Sequence, residues 1–288
     1  MMNMDEKGDF HIRTMLAADV ALAVEWAAQE GWNPGLHDAD CFRMADPGGF
    51  FIGEWRGKPA ACISAVAYGD DFGFIGLYIV KPEWRGNGFG MRVWQHGMAY
   101  LQNRCIGLDG VLAQQANYAK SAFQLAYRNI RYQGVAPQRA GDVPHADLLD
   151  ASAVPFEPLR DYDRRCFPAS RDRFLRAWLA QRDAIARVAV REGQVAGYGV
   201  LRRCLTGHKI GPLFADSDEI AGQLFADLTS SIPGEVFFFD VPETHAAAVA
   251  LAERHSMTSV FETARMYTRE PPLMSMERVF GVTSFELG

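Results

Sequence analysis

The sequence predicts an α/β (α+β) protein built from two consecutive units, each a mixed, mostly antiparallel sheet flanked by helices. Three observations predict it. Along the first half, apolar residues switch between strand and helix spacing in the order β-α-β-β-β-α-β, with hairpin-turn residues between the second and third strands. Landmarks of that order recur in the second half at a nearly constant offset. A chain of 288 residues, 49% hydrophobic, is also long enough to bury two cores of roughly 100 to 150 residues each.

Residues 11–14 read as a short strand. Asp19 stands where it can cap a helix whose apolar positions Val20, Ala23, Val24 and Ala27 recur at helical spacing, and Gly31 ends that helix. The stretch GWNPGLHDAD that follows has the composition of a loop. Residues 50–55 and 59–67, joined by Arg56-Gly57, form a predicted antiparallel hairpin, and residues 72–80 a central strand stopped by Pro82. From Gly86 onward Met91, Trp94, Met98 and Leu101 make a helical stripe, and residues 106–108 open another strand.

Residues 133–158 are rich in Pro, Ala, Gly and Asp and lack periodicity, which marks a boundary between a first domain at 1–140 and a second at 141–288. The plan then repeats: a helix carrying Phe174, Leu175, Trp178 and Leu179, a hairpin turning at Glu192-Gly193, the strand KIGPLFAD, a helix, and the strand VFFFD. Gly57 matches Gly193, Ile75-Gly76 matches Ile210-Gly211, Asp109 matches Asp240 and Phe123 matches Met257, at offsets of 131 to 136 residues. Four landmarks in register predict a duplicated fold.

Composition removes several function classes. The formal net charge is -6 and no Lys/Arg block occurs, so a nucleic-acid partner has no electrostatic footprint. No apolar run reaches the length of a membrane span, and the opening MMNMDEKGDF has no apolar signal core, so no membrane partner is expected and the cytoplasm is the expected location. The five cysteines form no CxxC pair and the histidines no HExxH or other ligand spacing, so no metal is expected. A GxSxG nucleophile turn is absent.

The segment YIVKPEWRGNGFG, residues 78–90, carries the strongest chemical signal. A hydrophobic strand end, Tyr78, Ile79 and Val80, meets a proline stop. Arg85, Gly86, Asn87, Gly88, Phe89, Gly90 and Met91 then open an amphipathic helix. Glycines let a backbone approach a pyrophosphate, successive N–H groups can point at it, and the helix N-terminus adds a favourable dipole. The plainer reading is a glycine-rich turn with no ligand. Neither GxGxxG after the first strand of a βαβ unit nor GK[ST] is present, so a dinucleotide fold and a P-loop are not indicated.

With Arg85-x-x-Gly88-x-Gly90 between a fourth strand and a helix, the chain resembles the GCN5-related N-acetyltransferase (GNAT) family, whose signature is [RQ]xxGx[GA]. The resemblance implies that residues 78–91 grip the pantetheine and pyrophosphate of acetyl-CoA, the acyl donor. LDGVLAQQANYAKSAF, residues 108–123, resembles the family's fifth strand and fourth helix, with Tyr118 in the tyrosine slot, Ala122 where glycine is usual, and Phe123 in its place. Through KIGPLFAD, FFDVPE, ARMY and GVTSFELG, nearly the whole chain resembles a bacterial group with a second GNAT-like domain at its C-terminus.

Attack of an amine on a thioester forms a tetrahedral oxyanion and expels a thiolate. A phenol that protonates sulfur and backbone N–H groups that hold the oxygen both serve that step. Tyr118 is the candidate general acid, the alternative being an aromatic that packs helix on sheet. The candidate oxyanion donor is a backbone N–H near Ile79 or Val80. An amine of pKa about 10 arrives protonated at neutral pH, so a base is needed. Asp109 and Glu30 are the candidates, the leading alternative for each being an ordinary capping or surface carboxylate. In the loop 30–35, Trp32 could stack on a substrate and Asn33 could hydrogen-bond it, or the two could form a rigid turn with a core plug.

The second half has IAGQLF where the first has RGNGFG, and AERHSM where the first has YAKSAF, so cradle and tyrosine are both missing. Its Arg202, Asp240, Glu243 and Arg265 are candidates for an acceptor pocket at the domain interface, the alternative being a degenerate scaffold. The expected function is acetyl transfer to a primary amine of a small molecule or protein by a monomer or homodimer. An acyl-CoA sensor or interaction module without turnover is the alternative.

Overall fold

A computed structural model describes residues 9–138 and 147–288; the opening segment and the expected division at 140/141 lie outside the described residues. The first half runs β1 (Phe10–Thr14), α1 (Ala17–Gln29), α2 (Asp38–Ala45), β2 (Phe50–Trp55), β3 (Lys58–Tyr68), β4 (Phe72–Val80), α3 (Phe89–Tyr100), β5 (Cys105–Val111), α4 (Gln115–Ala119) and β6 (Gln124–Val135). The second runs β7 (Leu148–Asp150), α5 (Phe156–Cys166), α6 (Asp172–Leu179), β8 (Ala184–Arg191), β9 (Gln194–Arg203), β10 (His208–Ala215), α7 (Asp218–Ser230), β11 (Val236–Pro242), α8 (Ala246–Arg254), β12 (Thr258–Tyr267) and β13 (Val279–Gly281).

Local chemistry explains the ends. Asp19 caps α1 from inside its first turn, accepting the Leu16 N–H at 2.8 Å. The hairpins β2–β3 and β8–β9 turn alike: Arg56 and Gly57 have φ of +49° and +72°, and Glu192 and Gly193 +51° and +76°. Both fit the primed turns that follow strand twist, so the Gly57–Gly193 match is structural. Helix α3 departs from the expected stripe. Phe89, Val93, Trp94 and Gly97 are buried on it, whereas Met91 is 57% exposed. Gly97 lets the helix lie against Ile63 and Ala65 of β3.

Among the described residues all strands join one sheet in the order β1-β2-β3-β4-β5-β12-β6-β11-β10-β9-β8-β7, with β13 on β10. Pairs β4–β5 and β10–β11 are parallel and the others antiparallel. The centre is an exchange between halves: β12 pairs with β5 through Ala264↔Gly110, and β6 pairs with β11 through Tyr132↔Phe239. One apolar cluster also joins the halves, packing Val20 and Phe42 of α1 and α2 together with Tyr162 and Trp178 of α5 and α6.

Buried ion pairs pin this exchange. Asp109 on β5 accepts two bonds, 2.7 and 2.6 Å, from Arg265 on β12. Asp240 on β11 accepts two of 2.7 Å from Arg131 on β6. The Asp109–Asp240 match in sequence therefore marks one pair, repeated. A third cross-half pair joins Arg202 of β9 to Asp38 of α2 at 3.0 Å, both side chains fully buried. Each charge has an ion-pair partner, as buried charges require, although the two terminal nitrogens of Arg202 have no hydrogen-bond partner among the described residues.

The parallel pairs position the site. β4 and β5 stay paired only from Phe72↔Cys105 to Ile75↔Leu108. Beyond Ile75, Leu77 takes φ +44°, an extra residue bulges from β4 against β3, and the two strands part. β10 and β11 part in the same way after Ile210↔Phe239. There, however, β13 occupies the opening, pairing Gly281 with Leu213 and Val279 with Phe214.

Candidate active site

Where β4 and β5 part lies a cavity of about 380 Å³, within the range of about 300–1,000 Å³ usual for small-molecule sites. Both halves build it. Residues 75–80 of β4 and 108–111 of β5 line it from the first half; Phe261 and Thr263 of β12 and Phe285 and Glu286 of the C-terminal segment line it from the second. Two glycines make the close approaches possible. A Cβ on Gly110 would sit 2.3 Å from the Tyr118 ring, and one on Gly76 would sit 2.0 Å from the Glu286 carbonyl oxygen.

Tyr118, on the one-turn helix α4, lines the cavity and stacks on Trp94 of α3, ring centroids 5.6 Å apart. Trp94 is itself fixed by donating from Nε1 to Ser121 Oγ at 3.0 Å. Burial, with Tyr78 nearby, pushes the Tyr118 phenol up to about 12, so it stays protonated across the physiological range. The turn after α4 keeps a left-handed residue although its side chain is alanine: Ala122 has φ +66°. That conformation costs an L-residue roughly 1–2 kcal/mol.

Of the predicted turn only Arg85 is in the cavity wall; residues 86–91 are not, and there Gly86 and Gly88 have φ of +80° and +81°, with nothing within 4 Å of where their Cβ atoms would be. Gly88 caps α3, whose first-turn N–H groups have no intrahelical partner. Arg85 donates from Nε to the Val80 carbonyl at 2.9 Å, and its head group meets the Glu30 carboxylate. Both partners are partly exposed, and a pair of that kind contributes about 0–1 kcal/mol. The turn is thus an open, anion-compatible concavity next to a strand end.

The predicted residues divide. Tyr78, Ile79, Val80, Arg85, Tyr118, Glu30, Trp32 and Asp109 all border one cavity. Asn33 does not: its side-chain amide donates to the Thr206 carbonyl at 2.9 Å and accepts the Thr206 N–H at 3.0 Å, latching its loop to the turn after β9. Asp109 reaches the wall with its carboxylate taken up by Arg265 and by Asn129 Nδ2 at 2.8 Å, and the pair holds the Arg265 guanidinium well above its ordinary pKa. The same arrangement recurs at Asp240, in the half without a cradle. Arg202, Asp240, Glu243 and Arg265 are absent from the cavity wall; the first, second and fourth are spent on the cross-half pairs, and Glu243 accepts the Arg128 N–H at 2.9 Å. Met91 faces outward from α3.

Sequence reasoning missed Phe261, Thr263, Phe285 and Glu286. The β12 residues carry no motif, and the C-terminal GVTSFELG was visible only as a stretch of family resemblance. Thr263 Oγ1 and Asn129 Oδ1 are buried with no partner among the described residues. Among those residues no three metal-ligating side chains cluster, and no helix is long and apolar enough to cross a membrane.

Known proteins share this plan. The profile of the acetyltransferase (GNAT) family matches residues 18–123, and that of an acetyltransferase (GNAT) domain matches residues 159–281. The chain is 28% identical over 265 residues to the holothin acyltransferase of Pseudoalteromonas sp. (strain SANK 73390), spanning 92% of this chain and 90% of that one. It is 24% identical over 221 residues to an uncharacterized N-acetyltransferase, YitH, of Bacillus subtilis (strain 168), spanning 76% and 77%. An acetyltransferase candidate from Pyrococcus horikoshii shares the fold with a TM-score of 0.82 over 97% of this chain and 96% of that one, at 20% identity. A tandem GNAT protein from the clavulanic acid biosynthesis pathway does so at 0.63 over 90% and 98%, at 12% identity. With both halves matched by the family profiles, the chain is an acyltransferase of the GNAT family, in its tandem form.

Proposed function

We propose that the chain moves an acetyl group from acetyl-CoA to a primary amine of a small molecule, the half at 1–140 carrying donor and chemistry and the half at 141–288 completing the acceptor side. One observation carries this reading. The opening between β4 and β5 is a cavity lined by Arg85, at the start of the glycine turn, and by Tyr118, whereas the equivalent opening in the second half is filled by β13. Walls drawn from both halves favour a compact acceptor over a protein surface. The five unpaired cysteines support a reducing, cytoplasmic setting.

The residues present fit the donor. The α3 turn offers uncommitted N–H groups and Arg85 to the pyrophosphate, and the hydrophobic edge of β4 beyond Ile75 accommodates the pantetheine arm. Backbone groups there have no strand partner on the β5 side; the Ile79 N–H is turned to Cys62 on β3, which leaves the Val80 N–H to hold a thioester oxygen. As the C–N bond forms and the C–S bond breaks, Tyr118 gives its proton to the departing sulfur. The thiolate of a thiol of pKa about 8.5 is a weaker base than the phenolate of a phenol near 12, so this transfer is uphill alone. It becomes balanced when the nitrogen, acidified by bond formation, returns a proton to the phenolate oxygen.

The test is thiol release from acetyl-CoA over a panel of primary amines, with Tyr118→Phe beside the wild type. The variant should lose about 10²- to 10⁴-fold in kcat with acetyl-CoA affinity unchanged. Turnover equal to wild type at every pH would remove the assigned role, and donor binding without thiol release on any amine would favour a sensor.

A further inference from the structure

Residues 281–288 are buried throughout. The segment leaves β13 inside the parted β10–β11 pair and crosses to the first half. Val282 N–H donates to the Asp240 carbonyl at 2.9 Å, and Arg171 donates to Thr283 Oγ1 at 3.0 Å. Leu287 N–H donates to Ser284 Oγ at 3.1 Å, and Tyr68 Oη donates to the Leu287 carbonyl at 3.0 Å. Its backbone then lies on β4 at Gly76. The segment that plugs the vestigial opening in one half therefore ends as a wall of the cavity in the other.

That wall presents Glu286, 3% exposed, to the cavity. Its side chain makes no hydrogen bond or ion pair with the described residues. The other two carboxylates of the lining are both paired, Glu30 with Arg85 and Asp109 with Arg265. Arg131 and Arg202 feel its charge, but neither hydrogen-bonds it: Arg131 is held by Asp240, and Arg202 reaches Asp38 through Nε alone, its two terminal nitrogens having no partner among the described residues. A carboxylate enclosed this way without a partner is costly unless something arriving in the cavity supplies one. Trp32, Phe261 and Phe285 line the same cavity.

We infer that Glu286 binds the ammonium group of the acceptor and takes its proton, and that the acceptor is a compact amine with a flat apolar body seated against Trp32, Phe261 and Phe285. This rests on the acyl-transfer reading. The protons balance: one leaves the ammonium for the Glu286 carboxylate and then for solvent. The freed nitrogen attacks the thioester carbon, and its second proton passes to the Tyr118 oxygen, replacing the one given to sulfur. The second half thereby contributes a catalytic group to a site whose donor side lies in the first.

The test is calorimetric titration of the full chain, with and without CoA, using 2-phenylethylamine and 2-phenylethanol, which share a ring and chain but not a charge. Wild type should bind the amine at least about tenfold more tightly than the alcohol, and Glu286→Gln should bring the two within about twofold. Equal affinities in wild type, or a preference intact in Glu286→Gln, overturn the inference. Should that variant fail to fold, Glu286→Asp, which keeps the charge but retracts it, should still lower the ratio; an unchanged ratio overturns it. In thiol release from 2-phenylethylamine, the Glu286→Gln deficit should shrink as pH rises toward about 10, where the amine deprotonates in water. Loss of CoA binding in wild type would instead strike the donor-site reading, and the titrations without CoA keep the two failures apart.

Discussion

Replacing Asp109 by asparagine separates a structural carboxylate from a catalytic base. The Asp109 side chain is fully buried, that of Arg265 is 5% exposed, and the guanidinium loses its bidentate partner in the variant. Stranding a buried charge in this way costs about 3–5 kcal/mol. For a chain of this length that corresponds to a fall in melting temperature of roughly 5–8 °C. Asp240→Asn, at the equivalent position, should fall by a similar amount because it strands Arg131. The double replacement Asp109→Leu with Arg265→Met removes both charges and should recover most of the loss, since apolar pairs of similar volume are often neutral or better. Scanning calorimetry on the four proteins, with thiol release per folded molecule, decides the matter. An Asp109→Asn protein that melts within 2 °C (about 1 kcal/mol) of wild type and loses only kcat would refute the structural assignment and restore Asp109 as a base.

Ala122→Gly should stabilise the chain by about 1 kcal/mol, read by urea denaturation, because glycine adopts φ near +66° without the Cβ penalty. Asn33→Ala should cost about 1–2 kcal/mol through its two bonds to Thr206 while leaving acetyl-CoA affinity unchanged in a calorimetric titration. Burial raises the Tyr118 pKa to about 12, so the protonated acid persists as pH rises, and the alkaline limb of the kcat profile should show no loss from this group below pH about 10.

Much of this architecture was legible. The hairpin turns carry Arg56-Gly57 and Glu192-Gly193, residues that primed turns demand, and β4 reads as an unbroken apolar run. Arg85 and Tyr118 were singled out by spacing and resemblance and both border one cavity, whereas residues 86–91 are not in its wall. Strand β6 was not found: QLAYRNIRYQGV is too polar for a core strand until Asn129 and Arg131 meet carboxylates from neighbouring strands. The four second-half residues of the cavity escaped for a related reason. Strand exchange and the path of the C-terminal segment bring Thr263 and Glu286 to β4 and β5, more than 150 residues away in sequence, and no local pattern encodes such a meeting. The Asp109–Asp240 match was seen but its meaning was not, because only the swapped strands reveal the arginine that each one holds.

Calorimetric titration with acetyl-CoA, read for stoichiometry and repeated on Gly88→Glu, tests the central claim most directly. The glutamate would have to adopt φ near +81° and would place a negative charge where the pyrophosphate binds. The account predicts about one donor bound per chain, since β13 fills the second opening, and at least about a tenfold loss of affinity in the variant. Two donors per chain, or an affinity untouched by Gly88→Glu, would contradict it.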